Sequence, residues 1–197
     1  GGITTANLPF KDYKLGEILS KALKIPVKID NDANCAALGE QIAGAGKGTD
    51  NLLLVTLGTG IGAGIIINGK IYSGRGAAGE AGHMCIDRDG LKCACGKRGC
   101  WEKYASASAL IEQTKEAIKE NPNSILAEFA KDGIDGKTIF TAMDKGSKIA
   151  QEVFKSYIDY LAMGLDNLIS IFDPELILIA GGISRENERL LNPLKEK

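Results

Sequence analysis

Four side chains that can bind a soft metal ion lie close together near the middle of the sequence. His83 is the single histidine of the chain, and Cys93, Cys95 and Cys100 are three of its five cysteines. One imidazole and three thiolates make a closed tetrahedral zinc site, which leaves no open position for a catalytic water. The spacing therefore predicts a structural zinc site. Cys85, two residues beyond His83, is a rival ligand, and free thiols in a mobile loop are the alternative to metal binding.

A glycine-rich run at residues 58–64 follows a continuous apolar stretch over Leu52–Leu57. Because the run lies between two predicted strands, it is neither a dinucleotide fingerprint nor a P-loop. Its bare N–H groups can face an anion, helped by the Thr59 hydroxyl. Gly181-Gly182 follows a second apolar stretch, where α/β sheets leave a ligand crevice. Together the two turns predict a nucleotide site, and a plain tight hairpin is the alternative for the first.

A polar segment, Asp30-Asn31-Asp32, lies where a predicted strand ends and a predicted helix begins. Asp and Asn are common N-cap residues, so capping alone is one interpretation, and Asp30 could fill that role by itself. The other interpretation is that the Asp32 carboxylate accepts a proton from an attacking hydroxyl during phosphoryl transfer. Glu80 and Glu102 bracket the cysteine-rich segment, and taken alone each could be a solvated surface charge.

Charge and hydropathy exclude some classes of partner. The 24 basic and 25 acidic side chains give a net charge of −1, whereas binding to nucleic acid or to an anionic membrane needs a clustered basic surface. No apolar run approaches the ~20 residues of a membrane helix. The sequence as given opens on Gly1-Gly2-Ile3, without the basic start and apolar stretch of a signal peptide. We expect a cytoplasmic protein.

Periodicity predicts the elements that hold these residues. The predicted helices are Leu15–Leu23, 34–43, 101–119, roughly 124–131, and 138–172 with a break near Gly146, and Ser184 is predicted to cap a further helix. The predicted strands are 26–30, Leu52–Leu57, 65–67 and 70–72 around an Asn68-Gly69 turn, and 175–180. Residues 73–100 form a loop so long that something must order it, which bound zinc would do. Alternating helices and strands with a central hairpin predict an α/β fold with a mixed sheet.

Five segments of the sequence resemble the ROK family (repressors, open reading frames and kinases) over almost its whole length. The segments are residues 6–9, 31–40, 56–64, 79–84 and 93–102. The resemblance implies an actin-like, hexokinase-type (ribonuclease H-like) ATPase fold. It also implies transfer of the γ-phosphate of ATP, with Mg²⁺, to a hexose hydroxyl, with glucose favoured.

The resemblance also assigns roles by position. Asp32 matches the catalytic base, and the metal would hold the sugar-binding wall in place without Lewis-acid chemistry. The matched sugar-binding residues are Asn7, Asn31, Asp32, Glu80, His83 and Glu102. The matched ATP-binding residues are Gly58, Thr59, Gly60, Gly62, Gly64, Gly181 and Gly182. The matched zinc ligands are His83, Cys93, Cys95 and Cys100.

One departure from the family pattern defines the expected domain. The family opens with an Asp-x-Gly-Gly-Thr phosphate loop in a small lobe of roughly a hundred residues, and no such motif occurs here. We therefore expect residues 1–197 to be most of the large lobe, incomplete at both ends and inactive alone, with residues 73–102 as its zinc- and sugar-binding loop.

Two alternatives to a kinase remain open. The first is a sugar-sensing repressor of the same family, against which an intact Asp32 and an unbroken glycine run favour the kinase. The second is a metal-stapled interaction module without ligand chemistry. The resemblance further implies a homodimer formed through this lobe.

Overall fold

The computed structural model describes residue 9 and residues 11–131 and 133–197. Asn7, to which the resemblance assigns sugar binding, lies outside the described residues. The strands are β1 (Leu52–Leu57), β2 (Ile61–Ile67), β3 (Lys70–Ile71) and β4 (Leu176–Gly181). They form one mixed sheet in the order β3-β2-β1-β4, which confirms the predicted α/β class.

The central strand β1 has partners of opposite direction on its two sides. It pairs antiparallel with β2 and parallel with β4. Because β1 and β4 are parallel, their carboxyl ends lie at the same edge of the sheet, where Leu57 is opposite Gly181. The two glycine turns that follow these strands are therefore neighbours, as a shared ligand crevice requires.

The described part of the chain contains eight α-helices. They are α1 (Leu15–Leu23), α2 (Asp32–Ala43), α3 (Glu102–Ala105), α4 (Ala107–Glu120), α5 (Ile125–Glu128), α6 (Thr138–Asp144), α7 (Lys148–Phe172) and α8 (Glu188–Lys195). The predicted break near Gly146, which has φ +80°, separates α6 from α7. The single helix predicted over 101–119 is instead two, because Ser106 is extended and caps α4 by accepting from the Ala109 N–H.

Alternate side chains of β1 enter two different cores, which explains why the strand is apolar throughout. Leu52 and Leu54 pack with Ala37 of α2 in a small cluster. Leu53 and Val55 belong to the main core, which is built mostly from the helices on the other face of the sheet. A strand buried on both faces reads as a continuous apolar run rather than an alternating one.

The Asn68-Gly69 turn is where the sequence predicted it. Both residues have positive φ, +50° and +70°, as a type I′ hairpin turn requires. The turn joins β2 to β3 with Ile67 opposite Lys70.

The prediction of one glycine turn over residues 58–64 is wrong. The turn is confined to residues 58–60, and Gly62 and Gly64 lie inside β2. Helix α2 crosses β2 so closely that a Cβ on Gly64 would overlap the Ala33 carbonyl and the Ala37 side chain. These two glycines thus have a packing role that local sequence does not disclose, and their contact with ATP stays a prediction.

Two further local predictions are wrong. Residues 26–30 join no strand in the described chain, and the Val27 N–H donates to the Ser20 hydroxyl rather than to a neighbouring strand. Ser184 caps no helix. It lies inside a 3₁₀ turn over Ile183–Glu186, and its hydroxyl donates to the Gly181 carbonyl.

Candidate metal centre and substrate site

The four predicted metal ligands converge on one point. The ligand atoms of His83, Cys93, Cys95 and Cys100 all lie within 4.8 Å of one another. The Cys93 sulfur is 3.7 Å from His83 Nδ1, and the Cys95 and Cys100 sulfurs are 3.5 Å apart. Zinc bond lengths imply about 3.8 Å between two sulfurs and about 3.6 Å between sulfur and nitrogen in a tetrahedral site. The cluster therefore fits a zinc ion, and Cys85 stands outside the group.

A tight turn presents the cysteines. The Cys93 N–H donates to the Lys97 carbonyl and the Gly96 N–H donates to the Cys93 carbonyl, so the chain reverses between Cys93 and Cys100. Gly96 has φ +89°, a conformation that glycine adopts without strain. The segment predicted to need a metal is thus ordered locally by turns whose side chains meet at the cluster.

The thiols of the cluster differ in their tendency to ionise. Burial raises the pKa of the Cys93 thiol and raises the pKa of the Cys100 thiol to about 12. The backbone N–H of Lys97 lowers the pKa of Cys95 by hydrogen bonding to its sulfur. Burial disfavours a bare thiolate, whereas a bound divalent cation holds the thiolate directly. The two buried thiols should therefore release their protons when a metal binds.

Glu102 lies between the predicted metal ligands and the first glycine turn. Its Oε1 lies 3.1 Å from the Cys93 sulfur and 3.5 Å from His83 Nδ1. A Cβ added to Gly60 would lie 2.5 Å from Glu102 Oε2. The Glu102 carboxylate thus lies between His83 and the predicted phosphate turn. An open cavity of about 360 Å³, which Glu102 and Thr59 both line, lies beside it.

A tryptophan that sequence reasoning left unused anchors this carboxylate. Trp101 is 0% exposed, and its indole N–H donates to the Tyr160 carbonyl of α7 at 2.9 Å. Gly164, also on α7, leaves the space that the indole ring occupies. Because Trp101 lies between Cys100 and Glu102 in the chain, this contact fixes both on the helical core. The signal in the sequence was the single tryptophan directly after the last cysteine.

The structure distinguishes the residues of the Asp30-Asn31-Asp32 segment. Asn31 is the N-cap of α2, and its Oδ1 accepts from the N–H groups of Ala33 and Asn34. Asp32 is the first residue of the helix, is exposed, and its Oδ1 accepts from the N–H of its neighbour Ala33 at 2.9 Å. Neither Asp30 nor Asp32 is the N-cap, so the cap of α2 does not require the Asp32 carboxylate, and the role of Asp32 as a base stays a prediction.

Asn34 is a second residue that the sequence did not single out. It is 5% exposed, and its amide N–H donates to Asp30 Oδ1, which also accepts from the Asn31 N–H. Its own Oδ1 is buried without a hydrogen-bond partner among the described residues and lies about 4 Å from the position that a Cβ on Gly79 would take. The start of α2 is therefore close to the segment that carries Glu80.

The segment after Gly79 runs along β2 toward the metal cluster. The Ala63 N–H donates to the Gly79 carbonyl, and Gly82 packs against the Ile61 carbonyl. Glu80 itself is exposed and precedes the 3₁₀ turn Ala81–His83. Both the start of α2 and the segment that leads to His83 therefore pack against β2.

The two predicted nucleotide turns have distinct local structures. Thr59 is exposed between β1 and β2, and the Gly58 carbonyl accepts from the Ala107 N–H at the start of α4. Gly181 has φ +104°, and a Cβ there would overlap the backbone of Leu57. Gly181 and Gly182 are exposed. Only glycine fits at Gly181, and the edge that it shares with the first turn is open.

The sequence and the fold match a known family. A model of the ROK family matches residues 2–197, so the chain belongs to the ROK family. The structure superposes with a TM-score of 0.85 on a ROK family glucokinase from Streptomyces griseus in complex with glucose and AMPPNP. The two are 38% identical, and the match covers 98% of this chain and 64% of that chain. The actin-like fold implied by the resemblance is thereby confirmed.

Relatives of known function include both kinases and repressors. The glucokinase of Halalkalibacterium halodurans is 42% identical over 194 residues, which are 96% of this chain and 59% of that protein. The xylose repressor of Bacillus subtilis is 36% identical over 198 residues, covering 99% of this chain and 48% of the repressor. The chain thus spans about three fifths of the length of the glucokinases it matches.

Within the described ranges, no helix has the length and apolar character needed to cross a bilayer.

Proposed function

We propose that this chain is the large lobe of an ATP-dependent sugar kinase that phosphorylates glucose at its 6-hydroxyl. The position of Glu102 carries the proposal. Its carboxylate lies between the predicted metal ligands and the Gly58–Thr59–Gly60 turn, so a sugar bound to Glu102 would lie beside a phosphate bound at that turn. The glucokinases among the relatives support the same assignment.

Each polar group then has a defined part. Asn31 uses its Oδ1 in the helix cap, so its amide N–H₂ is the group left to donate to a sugar hydroxyl. Glu80 and Glu102 would accept from other hydroxyls. The exposed Asp32 carboxylate would take the proton of the attacking hydroxyl as the new bond to phosphorus forms. The glycine turns after β1 and β4 would hold ATP, which is used with Mg²⁺.

The metal would have a structural part. Four protein ligands fill a tetrahedral zinc site, and zinc there would supply rigidity to the loop rather than an electrophile. By fixing one ring nitrogen of His83, the ion would set the ring orientation and leave the other nitrogen for the sugar. The chain's own contribution is to fix Glu102 on the core through Trp101, whose backbone N–H also donates to the carbonyl of Met84, the residue after His83.

The first experiment is Asp32→Asn in the full-length protein with glucose at saturation. We expect kcat to fall by about 10²- to 10⁴-fold, because Asn cannot accept the proton. The free energy of unfolding should change by less than about 0.5 kcal/mol, since the residue is exposed and Asn31 makes the helix cap. A near-wild-type kcat would place the base elsewhere.

Asp30→Asn is the matched control for that experiment. It removes a carboxylate two residues away but keeps an oxygen that can accept from the Asn31 and Asn34 N–H groups. Its kcat should stay within about threefold of wild type, so that loss of rate in both variants would indicate a general charge effect instead of a specific base.

The repressor alternative is tested separately. A segment similar to this chain also occurs in the xylose repressor of Bacillus subtilis. A kinase predicts phosphate transfer from ATP to glucose by the full-length protein, preferred over fructose and N-acetylated hexosamines in a sugar panel. Sugar-dependent binding to DNA without phosphate transfer would establish the repressor instead.

A further inference from the structure

Cys85 and Cys100 face each other across a two-residue antiparallel bridge in the metal-binding loop. The Ile86 N–H donates to the Gly99 carbonyl at 2.9 Å, and the Trp101 N–H donates to the Met84 carbonyl at 2.8 Å. These two bonds flank the cysteine pair and neither involves it. Cys85 and Cys100 are therefore a non-hydrogen-bonded pair, the narrow kind, in which facing side chains are closest.

The backbone of such a pair suits a disulfide. In narrow antiparallel pairs the Cα atoms lie about 4.5 Å apart, and disulfides span Cα separations of about 4.4–6.8 Å. Both side chains of a facing pair project on the same side of the ribbon. Side-chain rotation can thus bring the two sulfurs together without a rearrangement of the chain.

The two cysteines differ in access and in role. Cys85 is exposed and stands outside the group of metal ligands, so its sulfur is available to reagents in solvent. Cys100 is fully buried and is one of the four ligands. An oxidant can therefore reach the Cys85 sulfur. Because the Cys100 sulfur is a metal ligand, a bond between the two sulfurs would change the metal site.

We propose that Cys85 and Cys100 form a redox-active pair that closes a disulfide when a peroxide oxidises Cys85. The Cys85 thiolate attacks a peroxide oxygen, the O–O bond breaks, and Cys85 becomes a sulfenic acid. The Cys100 sulfur then attacks the Cys85 sulfur, the S–S bond forms and the S–O bond breaks. With hydrogen peroxide, two electrons pass from the sulfurs to the oxidant, and each of the two steps releases a hydroxide ion. Because zinc-bound Cys100 is already a thiolate, the two hydroxides become water by taking up the proton that Cys85 lost and one proton from solvent.

Disulfide formation removes one ligand from the metal site. The sulfur of Cys100 then no longer carries the thiolate charge that binds zinc, so three ligands remain and the ion is released. Oxidation of the Cys85–Cys100 pair thus releases the metal ion from this loop. The inference rests on metal binding by the proposed kinase lobe and not on sugar phosphorylation.

Cys95 is the competing partner because its sulfur already lies 3.5 Å from that of Cys100. In the zinc-loaded loop, however, Cys93, Cys95 and Cys100 are all bound to the ion, which makes each a weaker nucleophile toward peroxide than a free thiolate. Cys100 keeps a lone pair that can attack the more electrophilic sulfenic acid of Cys85, which faces it. Cys85 is the cysteine of this loop that stays outside the ligand set. It is therefore the one expected to react first with peroxide.

The test oxidises the zinc-loaded chain with hydrogen peroxide, follows zinc release with a colorimetric chelator, and maps disulfides by peptide mass spectrometry. We expect a Cys85–Cys100 disulfide with zinc release, and zinc rebinding after reduction. Cys85→Ser should keep its zinc before oxidation and release it at least about tenfold more slowly. Cys35→Ser removes the exposed cysteine on α2 instead and should behave like wild type.

Two results would overturn the proposal. One is equal release rates in Cys85→Ser and wild type, and the other is a first disulfide between Cys95 and Cys100. Disulfides are also mapped in the metal-free chain. If the chain binds no zinc, the metal site is refuted. The disulfide that mass spectrometry finds in the metal-free chain then shows whether Cys85 pairs with Cys100.

Discussion

Two glycines inside helices should respond to alanine with opposite signs. Gly164 lies in the middle of α7, and a Cβ there would overlap the Trp101 ring. Gly39 lies inside α2, where a Cβ would meet nothing within 4 Å. Because both are helical, the same change in backbone entropy applies to both, and only the packing differs.

The magnitude follows from two opposing contributions. Replacing Gly by Ala inside a helix stabilises it by about 0.5–1 kcal/mol. At Gly39 this gain is unopposed. At Gly164 the added methyl group meets a ring that is fully buried and held by its bond to the Tyr160 carbonyl, so it cannot retreat. Overpacking of this kind costs about 1–3 kcal/mol. The midpoints of the two ranges differ by about 1.25 kcal/mol, so Gly164→Ala should be net destabilising, by at most about 2.5 kcal/mol.

Urea unfolding of the two variants and the wild type measures the difference directly. Trp101 is the single tryptophan of the chain, so its fluorescence reports on the contact that Gly164→Ala disturbs. We expect a shifted emission maximum for the folded Gly164→Ala variant and an unchanged one for Gly39→Ala. If Gly164→Ala proved as stable as Gly39→Ala with unchanged emission, the close packing of Trp101 on α7 would be refuted.

Two further predictions concern the metal and the loop before α6. Cys95→Ser should lose the one zinc ion per chain measured by elemental analysis, whereas Cys35→Ser should retain it, and equal zinc contents would contradict the ligand assignment. The Asp135 carboxylate accepts from the N–H groups of Lys137 and Thr138, which lowers its pKa. Asp135→Ala should therefore cost about 1 kcal/mol at pH 7. A lowered pKa stabilises the folded state above the unfolded pKa of 3.8, and this stabilisation is lost as the pH falls through the lower folded value. The difference between Asp135→Ala and wild type should therefore shrink progressively in urea titrations as the pH is lowered below about 4.

Local signals predicted the parts of the fold that depend on a few neighbouring residues. The buried strand Leu52–Leu57 and the Asn68-Gly69 turn are where the sequence placed them, because apolar runs and positive-φ residues act over short distances. Residues 26–30 have the alternating pattern of a strand but join none within the described chain. A strand needs a partner, and the pattern alone cannot supply one.

The candidate site could likewise be predicted only in part from the sequence. The metal ligands could be proposed from residue type and spacing, because few combinations of side chains bind zinc. The packing of Gly62 and Gly64 under α2 and of Gly164 against Trp101 depends on elements far apart in sequence, and no local pattern indicates it. The same is true of Asn34, whose importance comes from the buried position of its amide. The assignments to sugar and ATP stay predictions.

The pairing of β1 with β4 also determines when this site can form. The Glu175 carboxylate, just before β4, accepts from the Asn51 N–H across 124 positions of the chain. The hairpin of β2 and β3 needs only a two-residue turn, whereas docking β4 beside β1 must close a loop that includes the metal-binding segment and most helices. We therefore expect β4 to dock late in folding. During synthesis, the edge where the two glycine turns meet can form only after Gly181 has left the ribosome, so any earlier nascent chain exposes the unpaired edge of β1.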